Sequence, residues 1–132
     1  MAHRFRMELS GHPVIDRQHK SLFDLLDGVE KWVGVPNNEE GILAAMTGLI
    51  DYTKSHFGYE EVFMQEANYP DYAKHKERHA RFVRQLDHLY PKVIANQMTI
   101  DDMMVIIEGW LVDHINTEAP LFRKHIDKTI MR

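Results

Sequence analysis

His75-Lys76-Glu77-Arg78-His79 places two imidazoles four residues apart. On a helix that spacing stacks them on one face, where the pair can grip a single metal ion through two nitrogens. Nineteen residues upstream, His56-Phe57-Gly58-Tyr59-Glu60 repeats the interval with a carboxylate as the second group. Both stretches ask for helices whose inward faces carry ligand atoms.

Working outward, the apolar positions Tyr72, Phe82, Leu86 and Leu89 share a face with His75 and His79, which predicts a helix from Pro70 to Leu89 that Pro91 bends or stops. Before it, Leu43, Met46, Leu49, Ile50, Thr53, His56, Phe57, Glu60, Phe63 and Met64 form the stripe of a helix over Glu39–Ala67, with Asn38 as its N-cap. Earlier still, Ile15, His19, Leu22, Phe23, Leu26, Val29 and Val33 recur near 3.6 residues and predict a first helix from Val14 or Asp16 to Val33. Downstream, Thr99 caps a fourth helix carrying Met103, Ile106, Ile107, Trp110, Leu111 and His114, which ends near Thr117 before Pro120. Leu121–Ile130 is read as a separate short terminal helix. The expected fold is all-α: an antiparallel up-down-up-down four-helix bundle with a short N-terminal arm, one domain over residues 1–132.

Composition narrows the function. Hydrophobic content of 44% and charged content of 27% are ordinary for a globular domain. A net charge of -4 argues against nucleic acid, and the basic run Lys74, Lys76, Arg78, Arg81, Arg84 reads as the solvated face of a helix. Zero cysteines exclude disulfides, iron–sulfur clusters and thiol catalysis. No secretory leader and no membrane span is visible, so a soluble cytoplasmic protein is expected. Nine histidines stand out, since imidazole is the commonest side-chain metal ligand.

His19, His56, Glu60, His75, His79 and His114 fall on inward stripes, and every one of the four helices contributes at least one. A single core histidine is more often a hydrogen-bonded structural residue. Five converging rings are another matter: charged they repel, and neutral they lack enough acceptors. A metal uses their lone pairs directly. Two ions suit the set better than one, because six ligands on one octahedral ion leave no open position, and Glu60 can bridge. Nitrogen-rich ligation with carboxylate and no thiolate suits iron, with zinc or copper as competitors. His3, His12, His88 and His125 are read as surface or packing residues.

Gly11-His12-Pro13-Val14-Ile15-Asp16-Arg17-Gln18-His19, His56-Phe57-Gly58-Tyr59-Glu60-Glu61, His75-x-x-x-His79 and Trp110-Leu111-Val112-Asp113-His114-Ile115 together resemble the hemerythrin family, specifically its single-domain bacterial members. The resemblance implies a non-heme di-iron centre, oxo- or hydroxo-bridged, that binds dioxygen reversibly for carriage, storage or sensing. It assigns His75, His79 and His114 to one iron, His19 and His56 to the other, and Glu60 to the bridge. Phe57, Leu111 and Ile115 would wall the dioxygen pocket and slow autoxidation. Dioxygen is the implied partner, with no nucleic acid, no membrane and a redox partner still to be identified.

One position departs from that pattern. The family's second bridging aspartate lies five residues after the last histidine, and here Ala119 stands there. Glu118, four residues after His114, could swing in to bind or bridge; the simpler reading leaves it facing solvent. Otherwise water or a small carboxylate from solution fills the gap, or one iron is lost. Each outcome implies a wetter centre, faster autoxidation and an oxy form that Ala119→Asp would prolong.

The chain is therefore expected to be a carrier and not an enzyme. The competing reading is a di-iron or mono-iron oxidase or peroxidase. A ferritin-like site wants Glu-x-x-His, and a zinc hydrolase His-Glu-x-x-His; neither occurs.

Overall fold

In the computed structural model, residues 6–130 are described, excepting the side chain of Ile130; His3 lies outside them. Four helices follow in order: α1 (Pro13–Val33), α2 (Glu39–Glu66), α3 (Tyr72–Ile94) and α4 (Ile100–Ile130). No strand occurs among the described residues. The linkers, residues 34–38, 67–71 and 95–99, are too short to do more than reverse the chain, so successive helices run antiparallel. Each helix packs on two others: α1 on α2 and α4, α3 on α2 and α4.

Asparagine makes the reversals possible. Asn37, Asn68 and Asn96 each adopt positive φ, at 53°, 52° and 59°, the left-handed region that asparagine tolerates better than most side chains. After α2 the amides of Asn68 and Tyr69 return to the carbonyls of Gln65 and Met64, and after α3 those of Asn96 and Gln97 return to Val93 and Lys92. Both are Schellman endings. Asn38 begins α2 without capping it: its amide group donates to the Trp32 and Val33 carbonyls at 2.9 and 3.1 Å, closing α1 instead. Thr99 caps as expected, its hydroxyl accepting from the Asp102 amide at 3.1 Å.

Two expected breaks are absent. α3 runs through Pro91 to Ile94, and α4 runs through Pro120 to Ile130, so no separate terminal helix exists. Both prolines are exposed, so the backbone carbonyl each leaves unserved lies on a wet face. Beyond Pro120, the buried ring of Phe122 pins the last turns of α4 against Ile15, Met64 and Tyr69.

Side-chain burial divides the interior into three layers. A large apolar cluster, including Leu22, Phe23, Leu26, Met46, Phe82, Leu86, Met103 and Leu111, fills one end. Ile15, Met64, Tyr69 and Phe122 form a smaller cluster at the other. Between them lie His19, His56, Glu60, His75, His79, His114 and Glu118, all buried. No helix among the described residues is long and apolar enough to cross a membrane.

Candidate metal centre

All six residues expected from the sequence reach the polar layer, and Glu60 stands at its middle. Its Oε2 lies 3.0 Å from Nε2 of His19 on α1 and 3.0 Å from Nε2 of His56, one turn back on α2. Its Oε1 lies 3.4 Å from Nε2 of His79 on α3. Nε2 of His79 stands 3.0 Å from Nε2 of His114 on α4.

Glu118 does not face solvent. It is 1% exposed, and its Oε2 sits 2.9 Å from Nδ1 of His75 and 3.0 Å from Nε2 of His114, with Nε2 of His79 at 3.5 Å. The sequence-based preference is corrected by geometry: four residues from His114 is one helical turn, so both side chains share the inward face. Ala119 is also fully buried.

Among the described residues two groups of ligand atoms result, each within 4.8 Å: Glu60, His79, His114 and Glu118 in one, His19, His56 and Glu60 in the other. Glu60 belongs to both. His75 stands beside the first group, turned to Glu118 through Nδ1, while its Nε2 is buried without a partner.

Hydrogen-bond direction shows that this layer is built for cations. Nδ1 of His56 meets the Gln18 side-chain oxygen at 2.7 Å, an acceptor only, so Nδ1 must carry the proton. The lone pair of a neutral His56 is then left on Nε2, facing the Glu60 carboxylate, two acceptors with nothing between them. His79 repeats the case: its Nδ1 meets Glu61 at 3.1 Å, which leaves Nε2 among Glu60, Glu118 and His114. His19 Nδ1, His56 Nε2, His75 Nε2, Glu60 Oε1 and Glu118 Oε1 are buried without hydrogen-bond partners. Buried polar atoms in such number call for a ligand; either extra protons or metal ions must enter.

Electrostatics of the metal-free layer agree. Burial opposes charge on Glu60, yet the His56 charge and contacts from His19, His56 and His79 hold its carboxyl well below the ordinary value. Burial and the Glu60 charge work against ionising Glu118, but His114 and His75 outweigh them and bring it down to about 2. Burial alone would lower His79; the carboxylates of Glu118, Glu60 and Glu61 instead raise it to about 11. A proton on His79 thus stands among the groups that could hold a metal ion.

Gln18 and Glu61 were not singled out from the sequence. Each adjoins a ligand in the chain, Gln18 before His19 and Glu61 after Glu60, and such outer partners fix the tautomer of a metal-binding imidazole. Tyr69 was also missed: its ring edges His75 at 5.3 Å, and burial with the Glu118 charge raises its phenol to about 12, so it stays protonated.

The expected pocket residues Phe57, Leu111 and Ile115 are all buried. Phe57 stacks flat on His79, centroids 3.9 Å apart, and lies farther from His56, at 6.1 Å. The four histidines set aside stay out of the layer wherever they are described. His12 caps α1, accepting from the Ile15 amide at 3.4 Å, and packs edge-on to Phe63. His125 meets the Ala67 carbonyl at 2.8 Å, closing the end of α2. His88 is exposed.

Known proteins are similar to this chain. A bacteriohemerythrin of Methylococcus capsulatus is 35% identical over 101 residues, 76% of this chain and 76% of its own length. One from Stenotrophomonas maltophilia is 30% identical over 116 residues, covering 88% of this chain and 75% of the relative. A hemerythrin-like protein of Naegleria gruberi is 30% identical over 105 residues, 80% of this chain and 76% of that one. A crystal structure of wild-type hemerythrin superposes with a TM-score of 0.76 at 29% identity, covering 86% of this chain and 91% of the other. The family model of the hemerythrin HHE cation binding domain matches residues 10–124, and with its bundle and its buried histidine–carboxylate layer the chain belongs to the hemerythrin family.

Proposed function

We propose that this chain binds dioxygen reversibly at a pair of non-heme iron ions, as a cytoplasmic carrier, store or sensor. The observation that carries the reading is the pair of buried ligand groups sharing Glu60. His79, His114 and Glu118 would hold one ion, with His75 standing behind Glu118; His19 and His56 would hold the other, and Glu60 belongs to both groups. Iron held there would supply the reversible electron transfer that dioxygen binding requires.

The protein's own part is positioning and exclusion. Gln18 and Glu61 keep a proton on Nδ1 of His56 and His79, so both rings present Nε2 inward. The His19–His56–Glu60 end has fewer protein donors, which makes it the end with positions to spare for a small ligand. Phe57, Leu111 and Ile115 close the layer with apolar surface; a dry pocket disfavours release of charged reduced oxygen, because such an anion gains most of its stabilisation from water. Glu118 supplies the carboxylate that Ala119 lacks, so no anion from solution is needed.

Metal analysis with visible spectra of the reduced, oxygenated and oxidised protein tests this. The expected result is two irons per chain and an oxygen adduct that disappears on deoxygenation. Protein devoid of transition metal after anaerobic reconstitution overturns the reading. Sustained turnover of a reducing substrate with peroxide, without a stable adduct, replaces the carrier by an enzyme.

A further inference from the structure

Enclosing the ligand layer between two apolar clusters keeps water out but also isolates it electrically. Any ferric iron formed by oxidation must be returned to the ferrous state by electrons from outside. Aromatic rings in van der Waals contact couple far better than the same distance of solvent or empty space. Trp110 offers such a contact. It is only partly buried on α4, yet its ring stacks on His114 with centroids 4.4 Å apart and planes 19° apart. Phe82 stacks against the same indole at 4.0 Å and 3°. One residue thus joins the surface to a ligand-bearing imidazole.

The surroundings indicate what docks there. Lys76, Ala80 and Val83 of α3 line the groove facing α2. At 3.6 residues per turn, Lys74, Arg78 and Arg81 fall on the opposite flank, toward α4; all three are exposed. The basic run therefore borders the side of the bundle where Trp110 emerges. We infer that Trp110 is the electron entry port of the centre, stacked on His114 and flanked by Lys74, Arg78 and Arg81 for an acidic one-electron carrier protein. The carrier is oxidised by one electron and a ferric ion becomes ferrous; no bond forms or breaks, and the indole ends unchanged.

This inference rests on the di-iron reading, and two experiments keep their failures apart. In the first, oxidised iron-loaded protein is mixed with photoreduced flavin mononucleotide, an anionic donor. Trp110→Leu should be reduced about an order of magnitude more slowly than wild type at equal iron content, and Trp110→Phe, which keeps a stacked ring, should recover most of the rate. Exchanging Lys74, Arg78 and Arg81 for Gln should slow the wild-type reaction and flatten its salt dependence. The second needs neither iron nor dioxygen. In the Trp32→Phe background, at equal occupancy, copper(II) should quench Trp110 emission while zinc(II) leaves it nearly intact, since only copper accepts an electron through His114. Wild-type reduction rates in Trp110→Leu, or equal emission with the two metals, overturn the port. Failure to take up iron with copper quenching intact overturns the di-iron reading alone.

Discussion

Glu118 shows how far one residue can move a site. The carboxylate expected at position 119 is present one position earlier, and a single turn from His114 brings it to the same layer. Glu118→Ala should leave the His114 and His75 nitrogens without their anion and reduce the metal content by one ion per chain, read by elemental analysis. Ala119→Asp, which the sequence suggested would lengthen the oxy form, should not do so. Position 119 is fully buried, and burying a second carboxylate beside Glu118 is costly, so the metal-free variant should lose stability in denaturant unfolding. Gln18 is subtler. Gln18→Leu strands the Nδ1 proton of His56, an unsatisfied buried donor worth about 1–3 kcal/mol. Chelator competition should show affinity at the His19–His56 end falling about 10- to 100-fold.

Among the elements, the stripes of α1, α2 and α3 were readable because apolar and ligand residues share one 3.6-residue period. The ends were less so. Asn38 has the composition of an N-cap, but its side chain is claimed by the carbonyls of Trp32 and Val33, a competition only the folded loop reveals. Prolines misled in the same way. Propensity says Pro120 should stop a helix, yet burial of Phe122 on Ile15, Met64 and Tyr69 holds the chain helical past it. Propensity is a weak prior against a buried aromatic ring. It follows that Pro120→Ala should stabilise the protein, by up to about 3 kcal/mol, because it restores a helical hydrogen bond without disturbing that packing. Thermal unfolding measures this, and a lowered midpoint would show that α4 needs the proline.

For the molecule as a whole, the buried layer ties stability to pH. In the metal-free protein His79 is raised from 6.5 to about 11, so its contribution is complete below pH 6.5 and is lost as pH rises toward 11. Glu118 is lowered from 4.5 to about 2, so its contribution is complete above pH 4.5 and is lost as pH falls toward 2. Metal-free protein should therefore unfold at its highest temperature between about pH 4.5 and 6.5. Metal replaces the proton on His79, so loaded protein should keep its midpoint on the alkaline side, and metal uptake should strengthen with rising pH. Thermal scans of both forms across pH decide this; parallel profiles would mean that the layer does not exchange protons for metal.

The amino-acid sequence by itself determined the class of fold and which histidines, with Glu60, lie on the buried faces of the helices, because helical period and the cost of burying imidazole are both local facts of residue order. Only the tertiary structure decided which nitrogen each ring presents and that Gln18 and Glu61 hold those rings. Those outcomes depend on distances between helices, such as the 2.7 Å from Gln18 on α1 to His56 on α2, and no spacing along one helix encodes a distance across two.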